Sequence, residues 1–127
     1  MRKKALCHLI TGIFLIVILS ACSSNLQGQD PSSVKVELVT EPSPVQSAQK
    51  VKMTVQISGL IKKEVQVQFD IQKPDNNGLP ETLNAQSGGN GSYYVEKTFD
   101  QPGTYTVYIH LMQEELHLTK KKKLVVL

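Results

Sequence analysis

Asp100-Gln101-Pro102-Gly103-Thr104-Tyr105-Thr106-Val107-Tyr108-Ile109-His110-Leu111-Met112 decides how the rest of this chain is read. Pro102 presets its own φ and Gly103 can take φ > 0, so the stretch opens on a turn. It then alternates Tyr105, Val107, Ile109 and Leu111 with Thr106, Tyr108, His110 and Met112, the period of two that marks a half-buried β-strand. The odd-numbered side is expected to face a core and the even-numbered side to face water.

The same period recurs upstream. Val34, Val36 and Leu38 alternate with Lys35, Glu37 and Val39 until Pro42 and Pro44 stop the strand. Val51, Met53, Val55 and Ile57 form a second apolar row that Gly59 closes, and Val65, Val67, Phe69 and Ile71 form a third. Pro74-Asp75-Asn76-Asn77-Gly78 and Pro80 mark a region where the chain reverses or changes sheets. Thr82 to Gln86 is a weak, short strand, and Gly88-Gly89-Asn90-Gly91 a turn. Tyr93, Val95 and Phe99 then share a face with Lys97, and Leu116 to Leu127 supplies the last strand. No apolar repeat at i, i+3, i+4 and i+7 is sustained after residue 21, so essentially no helix is expected there.

About seven short strands separated by Pro, Gly and Asn turns point to an all-β, immunoglobulin-like antiparallel β-sandwich. A Tyr two residues after the turn glycine, Gly103 then Tyr105, also resembles the tyrosine corner at the start of strand F in such sandwiches. No Trp is present, so the core must come from aliphatic residues with Phe69, Phe99 and Tyr105.

The N-terminus reads differently. Arg2, Lys3 and Lys4 precede an apolar run from Ala5 to Leu19, the pattern of a signal peptide, and the run is shorter than the roughly 20 residues a membrane-crossing helix needs. Leu19-Ser20-Ala21-Cys22 resembles the lipobox of bacterial lipoproteins, in which Cys22 is acylated on sulfur and becomes the new N-terminus. The expected organisation is therefore a signal peptide over 1–21, lipidated Cys22 with a polar tether over 22–33, and one domain over 34–127. It predicts a protein held by its lipid on the extracytoplasmic face of the cell membrane.

Cleavage changes the charge that matters. The whole chain has 14 basic and 11 acidic residues; removing Arg2, Lys3 and Lys4 leaves eleven of each. A balanced domain lacks the Lys and Arg surplus of a nucleic-acid binder, so no nucleic-acid partner is expected. Cys7 departs with the signal peptide and Cys22 is blocked as a thioether, so the mature chain has no thiol to form an internal disulfide.

Catalytic signatures are missing: no Gly-x-Ser-x-Gly, no metalloprotease helix motif and no phosphate loop occur. A non-enzymatic role is expected. If the last two strands form a hairpin turning at Gln113-Glu114, His110 lies opposite His117, Met112 opposite Glu115, and both histidines and Met112 share the outward face. Two imidazoles and a thioether suit copper, the thioether favouring Cu(I). Solvated histidines and a surface methionine are the plain alternative, and His8 leaves with the signal peptide. The same register puts Lys120 and Lys122 on the inward parity of Leu116 and Leu118. Burying unpaired lysines is costly, so a bulge or a bent loop between Thr119 and Lys123, or a longer hairpin tip that shifts the pairing, is expected.

Taken together, Val36-Glu37-Leu38 before a Pro-bearing bend, Val51 to Ile57, Val67-Gln68-Phe69-Asp70-Ile71, Gly91-Ser92-Tyr93-Tyr94 before Phe99, Pro102-Gly103-Thr104-Tyr105, and two histidines seven residues apart ahead of a Lys-rich segment resemble the YtkA-like domain of small bacterial envelope proteins. The resemblance implies an immunoglobulin-like sandwich without established enzymatic activity. Members often read His-Met where this chain has His117-Leu118, which leaves Met112 as the substitute thioether. The expected function is a lipid-anchored binding domain, with copper handled at His110 and His117. The alternative is a structural or protein-interaction module with a partner in the cell envelope.

Overall fold

The structure is a computed structural model that describes residues 28–62 and 64–127. Cys22 and the apolar run before it lie outside the described residues. Among the described residues eight strands form two antiparallel sheets. β1 (Lys35–Glu41), β2 (Lys50–Ser58), β6 (Ser92–Thr98) and β5 (Gln86–Gly89) make one in the order β1-β2-β6-β5; β4 (Glu81–Asn84), β3 (Gln66–Gln72), β7 (Gly103–Gln113) and β8 (Leu116–Val126) make the other in the order β4-β3-β7-β8. This is the immunoglobulin arrangement, ABED against a CFG sheet extended by one strand.

Alternation in the sequence becomes alternation in burial. Val51, Met53, Val55 and Ile57 of β2 face Val67, Phe69 and Ile71 of β3 and Val107, Ile109 and Leu111 of β7 across one buried cluster. Phe69, Phe99 and Tyr105 all lie in that core, Phe99 edge-on to Tyr105 at 4.7 Å between ring centres. The hydroxyl of Tyr105 donates to the carbonyl of Gln101 at 2.8 Å, closing the tyrosine corner. Gly103 beside it holds φ +143, and a Cβ there would meet Pro74 Cγ at 2.6 Å.

The count of eight against seven arises between Gly78 and Gly91. The weak segment around Thr82 divides at Ala85: β4 pairs with β3 in one sheet and β5 pairs with β6 in the other. Gly88 and Gly89 belong to β5, and only Asn90-Gly91 forms the turn, with φ of 53 and 76. Positive φ at both central residues is the hairpin geometry that an Asn-Gly pair favours. A second change of sheet follows β1. After the prolines, Val45 bridges Val126 of β8 in parallel, while Leu127 donates to Val45 and Ser47 to Leu127.

The ordered domain begins before Val34. Asp30 caps a short 3-10 turn over Pro31–Ser33, its carboxylate accepting from the Ser32 amide at 2.9 Å. Gln29 donates to the carbonyl of Gly59 at 2.9 Å and accepts from the amide of Ile61 at 2.7 Å. Residues 29–33, expected in the tether, are thus tied to the loop between β2 and β3.

β8 runs without a bulge, so that expectation fails. The hairpin turns at Glu114-Glu115 instead of Gln113-Glu114, pairing Gln113 with Leu116, Ile109 with Lys120 and Val107 with Lys122. This change of register preserves parity, and both lysines stay on the inward side. They are tolerated because β8 is an edge strand and each is only half-buried; a lysine can lay its stem along apolar surface while its ammonium group stays in water. Among the described residues no buried side-chain nitrogen or oxygen lacks a partner.

Candidate functional site

The outward face of β3, β7 and β8 carries the polar side chains that the apolar rows leave free. On β7 these include Tyr108, His110 and Met112; on β8, His117, Thr119 and Lys121. The observed register sets His117 opposite Met112 and His110 opposite Thr119. The two histidines are therefore diagonal neighbours, not directly opposed, with ring centres 5.7 Å apart and planes at 57°. The loop between β2 and β3 holds this register. Gln113 donates to the carbonyl of Lys62 at 2.9 Å and to that of Glu64, which keeps Gln113 in the strand pair and out of the turn. Lys62 also bridges Glu114 at 2.8 Å, and its hydrogen bond holds the Glu114 carboxyl below the ordinary carboxylate range.

His110 is held at both ring nitrogens. Nε2 lies 2.8 Å from Oδ2 of Asp70 on β3, and Nδ1 lies 2.9 Å from the hydroxyl of Thr119 on β8. Asp70 is itself fixed, its Oδ1 accepting from the Thr82 hydroxyl of β4 at 2.6 Å. The chain Thr82–Asp70–His110–Thr119 thus crosses all four strands of the sheet. A carboxylate only accepts, so in the neutral imidazole Nε2 carries the proton and Nδ1 presents its lone pair toward β8. The Thr119 hydroxyl can rotate away from that lone pair; Asp70, pinned by Thr82, cannot easily leave.

This is how metal-ligating histidines are oriented, with the nitrogen that does not bind the ion donating to a carboxylate. The available donors are Nδ1 of His110, the exposed imidazole of His117 and the thioether of Met112. Among the described residues no group of three or more His, Cys, Asp and Glu side chains is placed to hold an ion. Two imidazoles and a thioether are a smaller and softer donor set than a closed four-ligand zinc site uses.

His110, Met112 and His117 are legible in the sequence and Thr82 and Thr119 are not; Asp70 reads there as a solvated carboxylate near a strand end, whereas it sits within β3 with partners on both sides. Asp70 is 40 residues from His110, and only strand pairing brings them together. One signal was available: Asp is depleted in strands, and this one interrupts the Gln66-Gln68-Gln72 row of β3.

At the opposite end of the sandwich an open cleft of about 730 Å³ is lined by Pro74, Asp75, Asn76, Leu79, Glu81, Lys97 and the Phe99–Pro102 corner. Its buried-side cation, Lys97, is already engaged by Glu81 and by the face of Phe99, 5.1 Å from the ring centre.

Residues 28–110 match the model of the YtkA-like family. This chain belongs to the YtkA-like family. The match ends at His110, so β8 and His117 lie beyond it. No curated protein matches the chain. Among solved structures it is similar to the PmoD soluble domain from Methylocystis sp. ATCC 49242 (Rockwell), at 17% identity and a TM-score of 0.53 over 73% of this chain and 90% of that one. It is also similar to part of an engineered protein, at 16% identity and a TM-score of 0.56 over 77% of this chain. The YtkA-like chain spans about a fifth, 21%, of that engineered one. At such identities these likenesses speak for the sandwich fold alone.

Proposed function

We propose that this YtkA-like protein is a non-enzymatic, lipid-anchored binding domain on the extracytoplasmic face of the cell membrane, and that it handles copper at His110, His117 and Met112. The observation that carries the copper reading is the locked ring of His110. Asp70 accepts from Nε2, which leaves Nδ1 as the ligand atom on the side where His117 lies, with Met112 paired to His117 across the hairpin. The open sheet face leaves an ion accessible for transfer. The anchor reading rests on Leu19-Ser20-Ala21-Cys22 after the apolar run.

Titration of the mature chain with Cu(I) and Cu(II) tests the copper reading. Wild type should bind Cu(I) at least tenfold more tightly than the His110→Ala/His117→Ala double variant. Equal affinity would leave the face as a solvated surface, and the domain as an interaction module of an envelope assembly.

A further inference from the structure

The end of the sandwich from which the tether leaves is fixed by hydrogen bonds. Gln29 ties the chain to Gly59 and Ile61, and Gly28, Gln29, Ile61 and Lys62 share one surface with Glu114, Glu115 and Leu116 of the hairpin tip. Five residues separate Gly28 from Cys22. Their full reach is about 20 Å at 3.3–3.6 Å per residue. Strand β7 alone runs eleven residues from the far end to this tip, about 35 Å at 3.2–3.4 Å per residue. A lipid on Cys22 therefore holds the tip within about 20 Å of the bilayer, a limit it does not place on the far end. At the tip the Ile61 side chain is 75% exposed, while the adjacent cation Lys62 is neutralised by Glu114.

We propose that this end, formed by the Gly59–Ile61 bend and the Glu114-Glu115 turn, rests on the outer surface of the anchoring membrane with Ile61 in the interfacial layer. The inference rests on the anchor reading and is independent of copper. It sets the partner surface of the copper face as well: Met112 and His117 lie within two residues of the turn, so an ion exchanged there passes close to the lipid headgroups.

The test uses the lipidated mature chain, from which Cys7 has departed with the signal peptide, reconstituted into phosphatidylcholine vesicles, with an environment-sensitive fluorophore on Ile61→Cys or, as control, on Leu79→Cys. Leu79 is 91% exposed and lines the cleft at the far end. Cys22 is blocked by its lipid, so each variant has one reactive thiol. Nitroxide-bearing lipids should quench the label at position 61 several-fold more than at 79, with a blue-shifted emission at 61 only. Equal quenching in a lipidated chain overturns the orientation alone. A chain that gains no acyl group on Cys22 overturns the anchor, and the orientation with it.

Discussion

At the scale of single residues, the face of the sheet depends on hydrogen bonds that each have one irreplaceable donor or acceptor. Asp70→Asn replaces an acceptor-only group with an amide that can also donate, so Nε2 loses its fixed proton. Ring ¹⁵N spectra of the copper-free protein should show the Nε2–H tautomer of His110 in wild type and a mixture in the variant. Cu(I) affinity should fall by about 10–100-fold, the usual cost of losing a carboxylate behind a ligand histidine. An unchanged tautomer would remove Asp70 from the account without touching His117 or Met112. Tyr105→Phe keeps the ring against Phe99 and deletes only the hydroxyl that reaches Gln101. It should lower stability by about 1 kcal/mol, read as a lower urea midpoint with the same slope.

At the scale of elements, β8 combines two demands. As an edge strand it exposes unpaired backbone groups along one side as far as the Val45 bridge at Val126, and inward-pointing charges are one way to keep such an edge from recruiting another chain. Lys120 and Lys122 fit that role, since they sit on the core side of the strand without being buried. The double variant Lys120→Leu/Lys122→Leu should fold with unchanged or higher thermal stability. It should also self-associate in sedimentation velocity at concentrations where wild type is monomeric. A variant that stays monomeric there would leave the two lysines without that function. β4 and β5 show the opposite economy: two four-residue strands share a short polar segment and complete one sheet each.

At the scale of the whole molecule, the loop between β2 and β3 couples the chain's entry to the hairpin that carries the candidate site. Gly59 is central to it, with φ +85 and no room for a Cβ, which would lie 2.0 Å from the carbonyl oxygen of Ser33. Gly59→Ala should cost about 1–3 kcal/mol, the scale of locally strained backbone, and should raise amide exchange at Ser33 and Val34 first. Exchange that rises uniformly instead would argue against local coupling.

What the sequence by itself determined is everything that depends on local period. Alternation assigned the inward rows of β1, β2, β3, β6 and β7, the turn residues placed most of the reversals, and Phe69, Phe99 and Tyr105 were recognisable as core. The outward placement of His110, Met112 and His117 was legible for the same reason, because parity survives a change of register in which paired numbers shift by an even total. What only the tertiary structure decided is non-local: the division of residues 81–89 between two sheets, the turn at Glu114-Glu115 set by Gln113 bonding to another loop, and Asp70 behind His110 from a strand 40 residues away. A strand's pattern states which side is wet. It does not state which neighbour it will meet, because pairing is chosen by contacts between segments that the pattern treats as separate.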